Sequence, residues 1–290
     1  MLKRAPGVRP LEPARLAIRR ALVRRHLRIV AAGKSEVLKV ELTDGEVDSS
    51  ALLVEFAAPL DPASEPFQRV AHAMRRSGVA DAVIDGLASH EPTIRARSAR
   101  IAGAMRMEEV VPWLTPLLRS TVPAVRGSAA RALGRIGGVR CADALLIAIQ
   151  RIGQRPSLIV ALARAAPDLY LEAILGGSEL RAVYPAVAMA AGLRGRRTAT
   201  AALILQLRGG SRRSRTASGR ALGWLGAPAG IPELTLALKH PDWRDRMAAA
   251  KALGAIRAYR PGTELWACLT DRNPRVQRSA RDALRKLSGR

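Results

Sequence analysis

Residues 125–137 read VRGSAARALGRIG, and this stretch decides the fold because similar segments recur along the 290-residue chain. The clearest other copies are Ile94 to Gly103 (IRARSARIAG), Ser214 to Gly226 (SRTASGRALGWLG), Asp245 to Ile256 (DRMAAAKALGAI) and Val276 to Leu287 (VQRSARDALRKL). Their alignment defines an anchor column of Arg95, Arg126, Arg215, Arg246 and Gln277. Neighbouring anchors are 31 residues apart, except for a gap of 89 residues that holds shorter, less regular units. A nearly fixed period of this size predicts a stacked-repeat architecture.

The composition of one unit explains why the copies must stack. In the unit of Arg126, four apolar residues recur at helical spacing, at Ala129, Ala130, Leu133 and Ile136. Residues 110–118 (VVPWLTPLL) predict a second short apolar helix that packs on this stripe. One such pair cannot cover its own apolar face, so a neighbouring pair must complete the core.

The start of the second helix in each pair is also marked. Pro92, Pro123 and Pro274 each lie three residues before an anchor, where the first helical turn has no amide partner to lose. Ser120 and Asp271 lie six residues before their anchors and are helix-capping types. Alanine and glycine in the ALG segment predict close packing between helices instead of a phosphate loop.

Paired short helices, the proline, the following arginine and the AxALGxxG ending resemble HEAT-like repeats, of the short kind also found in phycobilin lyases. The resemblance covers Asp81 to Gly289, about seven units. It implies an all-α, right-handed superhelical α-solenoid of stacked helix pairs over residues 81–290, with residues 1–80 as an N-terminal helical capping region. The turn aspartate of the family is present at Asp242 and Asp271 and absent from several other units. Members include scaffolds, adaptors, lyases and DNA-repair enzymes, so the fold alone does not choose a function.

The composition agrees with a helical stack, because 48% of the residues are hydrophobic and only 3% are aromatic. No apolar run is long enough to span a membrane, since the run from Ala182 to Leu193 stops after 12 residues. The first ten residues, MLKRAPGVRP, lack the apolar segment of a secretion signal. Cys141 and Cys268 are expected to be buried thiols in a reducing cytoplasm, which is the predicted location.

Leu11 to Ala32 predicts a long basic helix, whose apolar residues Leu16, Val23, Leu27 and Val30 form one stripe. We expect that stripe to pack on the next helices as a cap, while peripheral contact with anionic lipid remains the alternative. An acidic segment follows from residue 35 to residue 66. Within it, Val37 to Leu42 (VLKVEL) fits either a short helix or a strand, and we predict a helix. A further helix is predicted from Phe67 to Arg76.

The net charge is +24, and arginine supplies most of the positive charge. Between Leu180 and Pro232 there are nine arginines and no acidic residue. Such a run is either a solvated face or a consequence of base composition, yet an acidic partner would relieve its repulsion. We expect Arg208 to Arg215 (RGGSRRSR) to form the turn inside one unit, where the backbone can follow a phosphate chain, and Arg194 to Arg197 (RGRR) to form a turn at the opposite end. The candidate binding residues are Arg194, Arg196, Arg197, Arg208, Arg212, Arg213, Arg215 and Trp243.

No catalytic, metal-binding or cofactor-binding motif is recognised, because the four histidines are isolated and no Cys/His cluster has ligand spacing. Trp113 and Trp266 lie on first helices and are predicted to be core residues. Trp243 is expected in a turn, flanked by Asp242 and Asp245. It is a candidate anchor for a partner, or, by resemblance to HEAT-like DNA glycosylases, a candidate site for a damaged nucleotide.

These observations predict a non-enzymatic scaffold or adaptor that binds a protein with an acidic surface. The alternative is sequence-independent nucleic-acid binding through the arginine-rich turns, with or without glycosylase chemistry. Bilin lyase-type activity follows only from the resemblance. Base chemistry would need an acid and aromatic residues that converge on the concave face, whereas an adaptor needs only a broad charged or apolar groove.

Overall fold

A computed structural model describes residues 11–39, 49–177 and 180–289, and all regular structure in these ranges is helical. The all-α prediction is therefore confirmed, and the helices stack in pairs as an α-solenoid. They form two compact units, residues 1–136 and residues 137–290. The division into a cap over residues 1–80 and about seven repeats beyond it stays a prediction.

The first unit contains seven helices in its described residues. They are α1 (Leu11–Ala31), α2 (Ser49–Ala57), α3 (Glu65–Arg76), α4 (Val79–Ala88), α5 (Pro92–Ala104), α6 (Val111–Leu117) and α7 (Pro123–Ile136). Leu27 and Val30 of α1 are fully buried, and α1 packs on α2 and α3, as expected of a cap. Ile18 and Leu22, nearer its start, are exposed, so lipid contact stays an open alternative.

Two other predictions for the first unit have different outcomes. The helix expected from Phe67 is confirmed as α3. The helix expected over Val37 to Leu42 is wrong for residues 37–39, which are irregular, and its remainder lies outside the described residues. The backbone N–H of Leu38 makes no helical hydrogen bond and instead donates to Ser77 Oγ over 2.8 Å.

The second unit contains ten helices in its described residues. They are α8 (Gly138–Ile152), α9 (Pro156–Ala165), α10 (Asp168–Gly176), α11 (Tyr184–Arg194), α12 (Thr200–Gly209), α13 (Arg212–Leu225), α14 (Ile231–Ala237), α15 (Trp243–Leu253), α16 (Thr263–Ala267) and α17 (Pro274–Ser288). The second helices of successive pairs, from α9 through α11, α13 and α15 to α17, pack side by side. The first helices form the other layer.

Small residues set the distance between second helices. A Cβ atom built on Gly192, Gly223 or Gly254 would lie 2.6–2.8 Å from the Cα atom of an alanine in the next second helix. A real side chain does not tolerate such a contact with backbone. The glycines of the repeat therefore serve close packing, as predicted.

Helix starts follow the sequence signals. Pro92, Pro123 and Pro274 are the first residues of α5, α7 and α17, which confirms the predicted boundaries. The side chains of Ser211, Asp242 and Asn273 cap α13, α15 and α17 by accepting a backbone N–H from the first turn.

The two tryptophans on first helices are a correction. Trp113 is 42% exposed and Trp266 is 55% exposed, so the prediction that they are core residues is wrong. Each is adjacent in sequence to a leucine, Leu114 or Leu265, that is fully buried. One residue is about 100° of helical rotation, so in these short helices the leucine takes the core position and the tryptophan points away from it.

No helix among the described residues is both long enough and apolar enough to cross a bilayer. Cys141 and Cys268 are buried as thiols. Burial also raises the pKa of Cys268, which keeps that thiol protonated and unreactive.

Candidate functional site

Four of the five anchor side chains, those other than Arg95, bond to the turns of their own units. Arg126 Nη1 donates to the carbonyls of Ser120 (2.7 Å) and Thr121 (2.8 Å). Arg246 Nη1 donates to the carbonyls of His240 and Pro241, both over 2.8 Å. Gln277 Nε2 donates to the carbonyl of Asp271 over 2.7 Å. The column thus satisfies backbone acceptors that the turn leaves without a helical partner.

The position six residues before the anchor closes the same turn. Ser120 Oγ accepts the backbone N–H of Val122 (3.2 Å), and Asp271 Oδ1 accepts that of Asn273 (2.8 Å). His240 Nδ1 occupies the equivalent position and accepts from Asp242 N over 3.1 Å. These residues close the turn that leads into the helix, and they are not themselves the N-caps.

Two anchor arginines also reach into the next unit. Arg215 Nε donates to Asp245 Oδ2 over 2.9 Å. Arg246 donates to both carboxylate oxygens of Asp271, through Nε (2.7 Å) and Nη2 (2.9 Å). The side chains of Arg246 and Asp271 are only 8% and 9% exposed. The hydrogen bonds from Arg246 lower the pKa of Asp271, so this pair is ionised and mutually satisfied.

Most of the predicted binding arginines have acidic partners. Arg196 pairs with Asp168, and Arg194 Nη2 lies 3.7 Å from the same carboxylate. Arg194 Nη1 also donates to the carbonyls of Ala163 (3.1 Å) and Arg164 (3.0 Å). Arg194 therefore joins α11 to α9, and Arg196 joins the residues after α11 to the start of α10.

The turn expected over Arg208 to Arg215 is limited to Gly210 and Ser211, because α12 runs to Gly209 and α13 begins at Arg212. Two arginines, one on either side of that turn, are compensated as well. Arg208 pairs with Glu233, and Arg212 Nε lies 3.9 Å from Asp242. The expectation that the run between Leu180 and Pro232 is uncompensated is therefore wrong for Arg194, Arg196, Arg208, Arg212 and Arg215. Their acids lie outside that sequence interval but in adjacent repeats of the stack. Arg197 and Arg213 are exposed and have no ion pair within the described residues.

Trp243 is placed differently from the expectation. It is the first residue of α15 instead of a turn residue, and it is partly buried. The guanidinium carbons of Arg244 and Arg275 lie 4.6 and 5.2 Å from its ring centroid. Such distances are those of cation–π contacts.

The acids beside Trp243 are already occupied. The side chain of Asp245 is 1% exposed and bonds to Arg215 and Thr216. Asp242 accepts the backbone N–H of Arg244 over 2.9 Å, which lowers the pKa of Asp242. Trp243 is therefore held by charges of the chain itself, and a buried carboxylate beside it is not open to a nucleotide.

A different tryptophan, Trp224, lies beside a hollow on the exposed face of the second helices in the second unit. It lies on α13 and is 48% exposed. It borders a hollow of about 410 Å³, which we call the Trp224 groove, between α13, α15 and α17. The groove is lined by Arg220, Gly223, Trp224, Lys251, Ala252, Ala255, Ser279, Asp282, Ala283 and Lys286.

The repeat register builds this groove. The position after the close-packing glycine is Leu193, Trp224 and Ala255 in successive units, and all three are exposed. The position three residues before that glycine supplies Arg220 and Lys251, which are also exposed. A position that accepts leucine, tryptophan and alanine in successive copies is unlike a core position. That comparison is the signal by which the sequence could have singled out Trp224.

The charge of the Trp224 groove differs from that of the turns. Arg220, Lys251 and Lys286 are exposed and have no ion pair among the residues that the structure describes. Asp282, the acidic residue in the lining, lies 3.0 Å from Arg285. The surface therefore offers free cations around an exposed indole, whereas the arginines at the turns are largely neutralised.

No cluster of three metal-ligating side chains occurs within residues 11–39, 49–177 and 180–289.

Other polar contacts of the second unit join neighbouring first helices. Tyr170 donates to Asp143, and burial together with this hydrogen bond raises the pKa of Tyr170. Lys239 Nζ lies 3.5 Å from Glu264, one repeat beyond the pair of Arg208 with Glu233. These acids hold the stack together and leave the Trp224 groove cationic.

The sequence matches the family of HEAT repeats over residues 80–166 and 200–285. No curated protein sequence is significantly similar to the chain. Among solved structures, human deoxyhypusine hydroxylase in complex with glycerol aligns with 94% of this chain and 100% of its own, at 21% identity and a TM-score of 0.37. The complex of CpcE and CpcF of phycocyanin lyase from Nostoc sp. PCC7120 aligns with 87% of this chain and 92% of its own, at 21% identity and a TM-score of 0.30. An engineered protein aligns with 92% of this chain and 68% of its own, at 19% identity and a TM-score of 0.36. At these values the likenesses carry no argument about activity or partner.

Proposed function

The chain belongs to the family of HEAT-repeat proteins, and we propose that it acts as a non-enzymatic scaffold or adaptor that binds a protein with an acidic surface. The binding surface is the exposed face of the second helices in residues 137–290. The observation that carries this proposal is the contrast between the turns, where most arginines are paired, and the Trp224 groove, where Arg220, Lys251 and Lys286 have no ion pair among the described residues.

Free cations on one face favour an acidic partner for two reasons. Like charges in proximity repel one another, so an opposing acidic surface removes an unfavourable interaction. Complementary charge also steers the encounter and raises the association rate. An exposed tryptophan at the centre of such a face supplies the apolar contact that most interfaces need for affinity.

Sequence-independent binding of nucleic acid is the second candidate. It is supported by Arg197 and Arg213, which are exposed cations at the turns. It is weakened by the pairing of Arg194, Arg196, Arg208 and Arg215 with carboxylates, because a paired arginine must release its partner before it can neutralise a phosphate.

We also propose that the protein is located in the cytoplasm. The support for this location is the two buried thiols, Cys141 and Cys268, which fit a reducing compartment.

The test is a crosslinking pull-down from the native host, performed with and without nuclease, that compares three forms of the full chain. The first form is wild type. The second carries Arg220→Glu, Lys251→Glu and Lys286→Glu. The third is a matched control with Arg140→Glu, Arg151→Glu and Arg155→Glu, which changes the charge equally at exposed positions outside the Trp224 groove.

We expect wild type and control to capture the same protein, and the groove variant to lose at least about tenfold of it, because each reversed charge adds repulsion across the interface. The captured protein should carry an acidic surface. Equal capture by all three forms would refute the proposed surface. Disappearance of every crosslinked protein on nuclease treatment would favour the nucleic-acid alternative.

A further inference from the structure

We propose that the Trp224 groove binds an acidic segment of the partner that carries one large apolar side chain, which seats against the Trp224 indole. This inference rests on the proposed function and specifies the chemistry that the surface recognises. It follows from the floor of the groove, from the placement of Trp224, and from the distribution of charge around it.

The floor of the groove is made of small residues. Gly223, Ala252, Ala255 and Ala283 come from α13, from α15 and the residues after it, and from α17. Small side chains let the second helices approach closely and leave a hollow above them. Its volume of about 410 Å³ lies at the lower end of the range of about 300–1,000 Å³ for pockets that enclose ligands. It suits one bulky side chain with its adjoining backbone.

Trp224 forms one wall and is positioned by its own stack. Its ring packs over Gly192 of α11, since a Cβ atom at Gly192 would lie only 3.0 Å from ring atom Cε3. One side of the indole is therefore supported while 48% of the residue remains exposed. Leu193 and Val160, exposed on α11 and α9, lie on the second helices that continue from α13. A rigid aromatic residue beside further apolar residues is a suitable anchor for a partner side chain.

The cations are distributed along the groove. Arg220, Lys251 and Lys286 come from α13, α15 and α17, so each belongs to a different packed helix. Neighbouring helix axes are about 8–10 Å apart, and an extended chain advances about 3.3 Å per residue. An extended segment of about six or seven residues can therefore cross all three helices with an acidic residue near each cation.

The same features disfavour single-stranded nucleic acid. Surfaces that bind it use successive aromatic side chains on which bases stack. Here the positions equivalent to Trp224 in the adjacent units are Leu193 and Ala255, so the stacking series is absent from this face.

The test is selection from a displayed library of random 12-residue peptides on the purified full chain at about 150 mM salt, where non-specific ionic binding is screened. We expect the enriched peptides to be acidic and to share one Trp, Phe, Leu or Met. A synthetic peptide of the enriched sequence is then titrated against variants. We expect Trp224→Ser and Lys251→Glu each to weaken binding at least about tenfold, while Leu236→Ser, which removes an equally apolar residue from the first-helix face, leaves binding within about twofold.

Two results would overturn the inference. One is the absence of enrichment, or enrichment of peptides without acidic residues. The other is binding of acidic peptides that Trp224→Ser does not change, which would mean that charge acts without an apolar anchor. Either result is distinguishable from failure of the proposed function, because the pull-down with the triple groove variant is scored independently. Full displacement of the peptide by random single-stranded DNA at the same salt would count against a protein partner.

Discussion

Arg246 bonds at the same time to two carbonyls of its own turn and to the carboxylate of Asp271 in the next unit. At the residue scale, this means that one side chain fixes both a turn and the register between two helix pairs. Arg215 does the same with the carbonyl of Gly210 and with Asp245. These arginines therefore stabilise the fold through hydrogen bonds to turn carbonyls and to a carboxylate of the next unit. A solvent-exposed arginine makes no such set of contacts.

Replacing Asp271 with asparagine tests this role. We expect Asp271→Asn to lower the free energy of unfolding by about 2–3 kcal/mol, because it leaves a buried guanidinium without its counter-charge. The matched control is Asp282→Asn, which removes a more exposed carboxylate from α17 and should change stability by less than about 0.5 kcal/mol. Chemical denaturation of the three proteins at pH 7 measures both changes.

The same substitution should also alter the dependence of stability on pH. The folded-state pKa of Asp271 is lowered by Arg246, so its stabilisation is complete above the unfolded-state pKa of about 4 and is lost as pH falls through the lower, folded value. Wild type should thus lose stability below about pH 4 more steeply than Asp271→Asn. Parallel curves for the two proteins would show that Asp271 does not titrate as inferred.

The period of the sequence was sufficient to predict the anchor column but not what its arginines bind. Asp245 and Asp271 lie 30 and 25 residues from their partners, and only the register of the stack brings them together. The arginines between Leu180 and Pro232 seemed uncompensated for the same reason, because linear distance does not measure proximity between repeats.

At the element scale, glycine and alanine form the points of closest approach between neighbouring second helices. Gly254 at the end of α15 faces Ala283 of α17, and an added Cβ atom would lie 2.6 Å from the Cα atom of that alanine. The two helices would have to move apart to accept it. The packing of the Trp224 groove depends on the same close approach.

Gly254→Ala should therefore destabilise the protein by about 1–3 kcal/mol through overpacking. Gly209→Ala, at the end of α12, is the matched control because nothing lies within 4 Å of the Cβ atom it would add. We expect the control to change the free energy of unfolding by less than about 1 kcal/mol. The change is a stabilisation if alanine mainly restricts the backbone of the unfolded chain. Thermal melting of both variants decides, and equal melting temperatures would contradict close packing at Gly254.

The helices and their first residues could be predicted from the sequence, because apolar spacing and proline positions determine them within a short stretch of chain. The orientation of single residues was less readable in short helices, where Trp113 and Trp266 each lie next to the leucine that takes the core position. Trp224 escaped notice because ALGWLG reads as continuous core. Whether Trp224 is exposed depends on the helices that pack on either side of α13. Those helices belong to the adjacent repeats, so the sequence of one repeat does not show it.

At the scale of the whole molecule, a net charge of +24 gives the chain a general attraction for polyanions at low salt. Arg208 is paired with Glu233 and Arg212 with Asp242, which leaves Arg213 as the cation of this group without an ion pair among the described residues. We therefore predict that Arg208, Arg212 and Arg213 do not together form a dedicated phosphate site. Replacing all three with alanine should leave the slope of log affinity against log salt for random duplex DNA unchanged within about one unit. A salt titration of wild type and variant measures the slopes.

Three phosphate contacts would instead flatten that slope by about 2.7 units, at about 0.9 per contact. Such a result would move the nucleic-acid alternative ahead of the protein partner. The comparison uses affinity over a range of salt and not a single low-salt value, because any strongly basic chain binds DNA when screening is weak.

The reach of Arg246 into the next unit has a consequence for how such a chain can be rearranged. Its partner Asp271 is supplied by the unit that follows, so the two units form a donor and an acceptor with a fixed order. Exchanging, duplicating or inserting a repeat between them would leave the guanidinium buried beside a surface with no matching carboxylate. Recombination in this part of the array is therefore tolerated only when adjacent repeats are transferred together, and neighbouring pairs of repeats are the natural modules for engineering it.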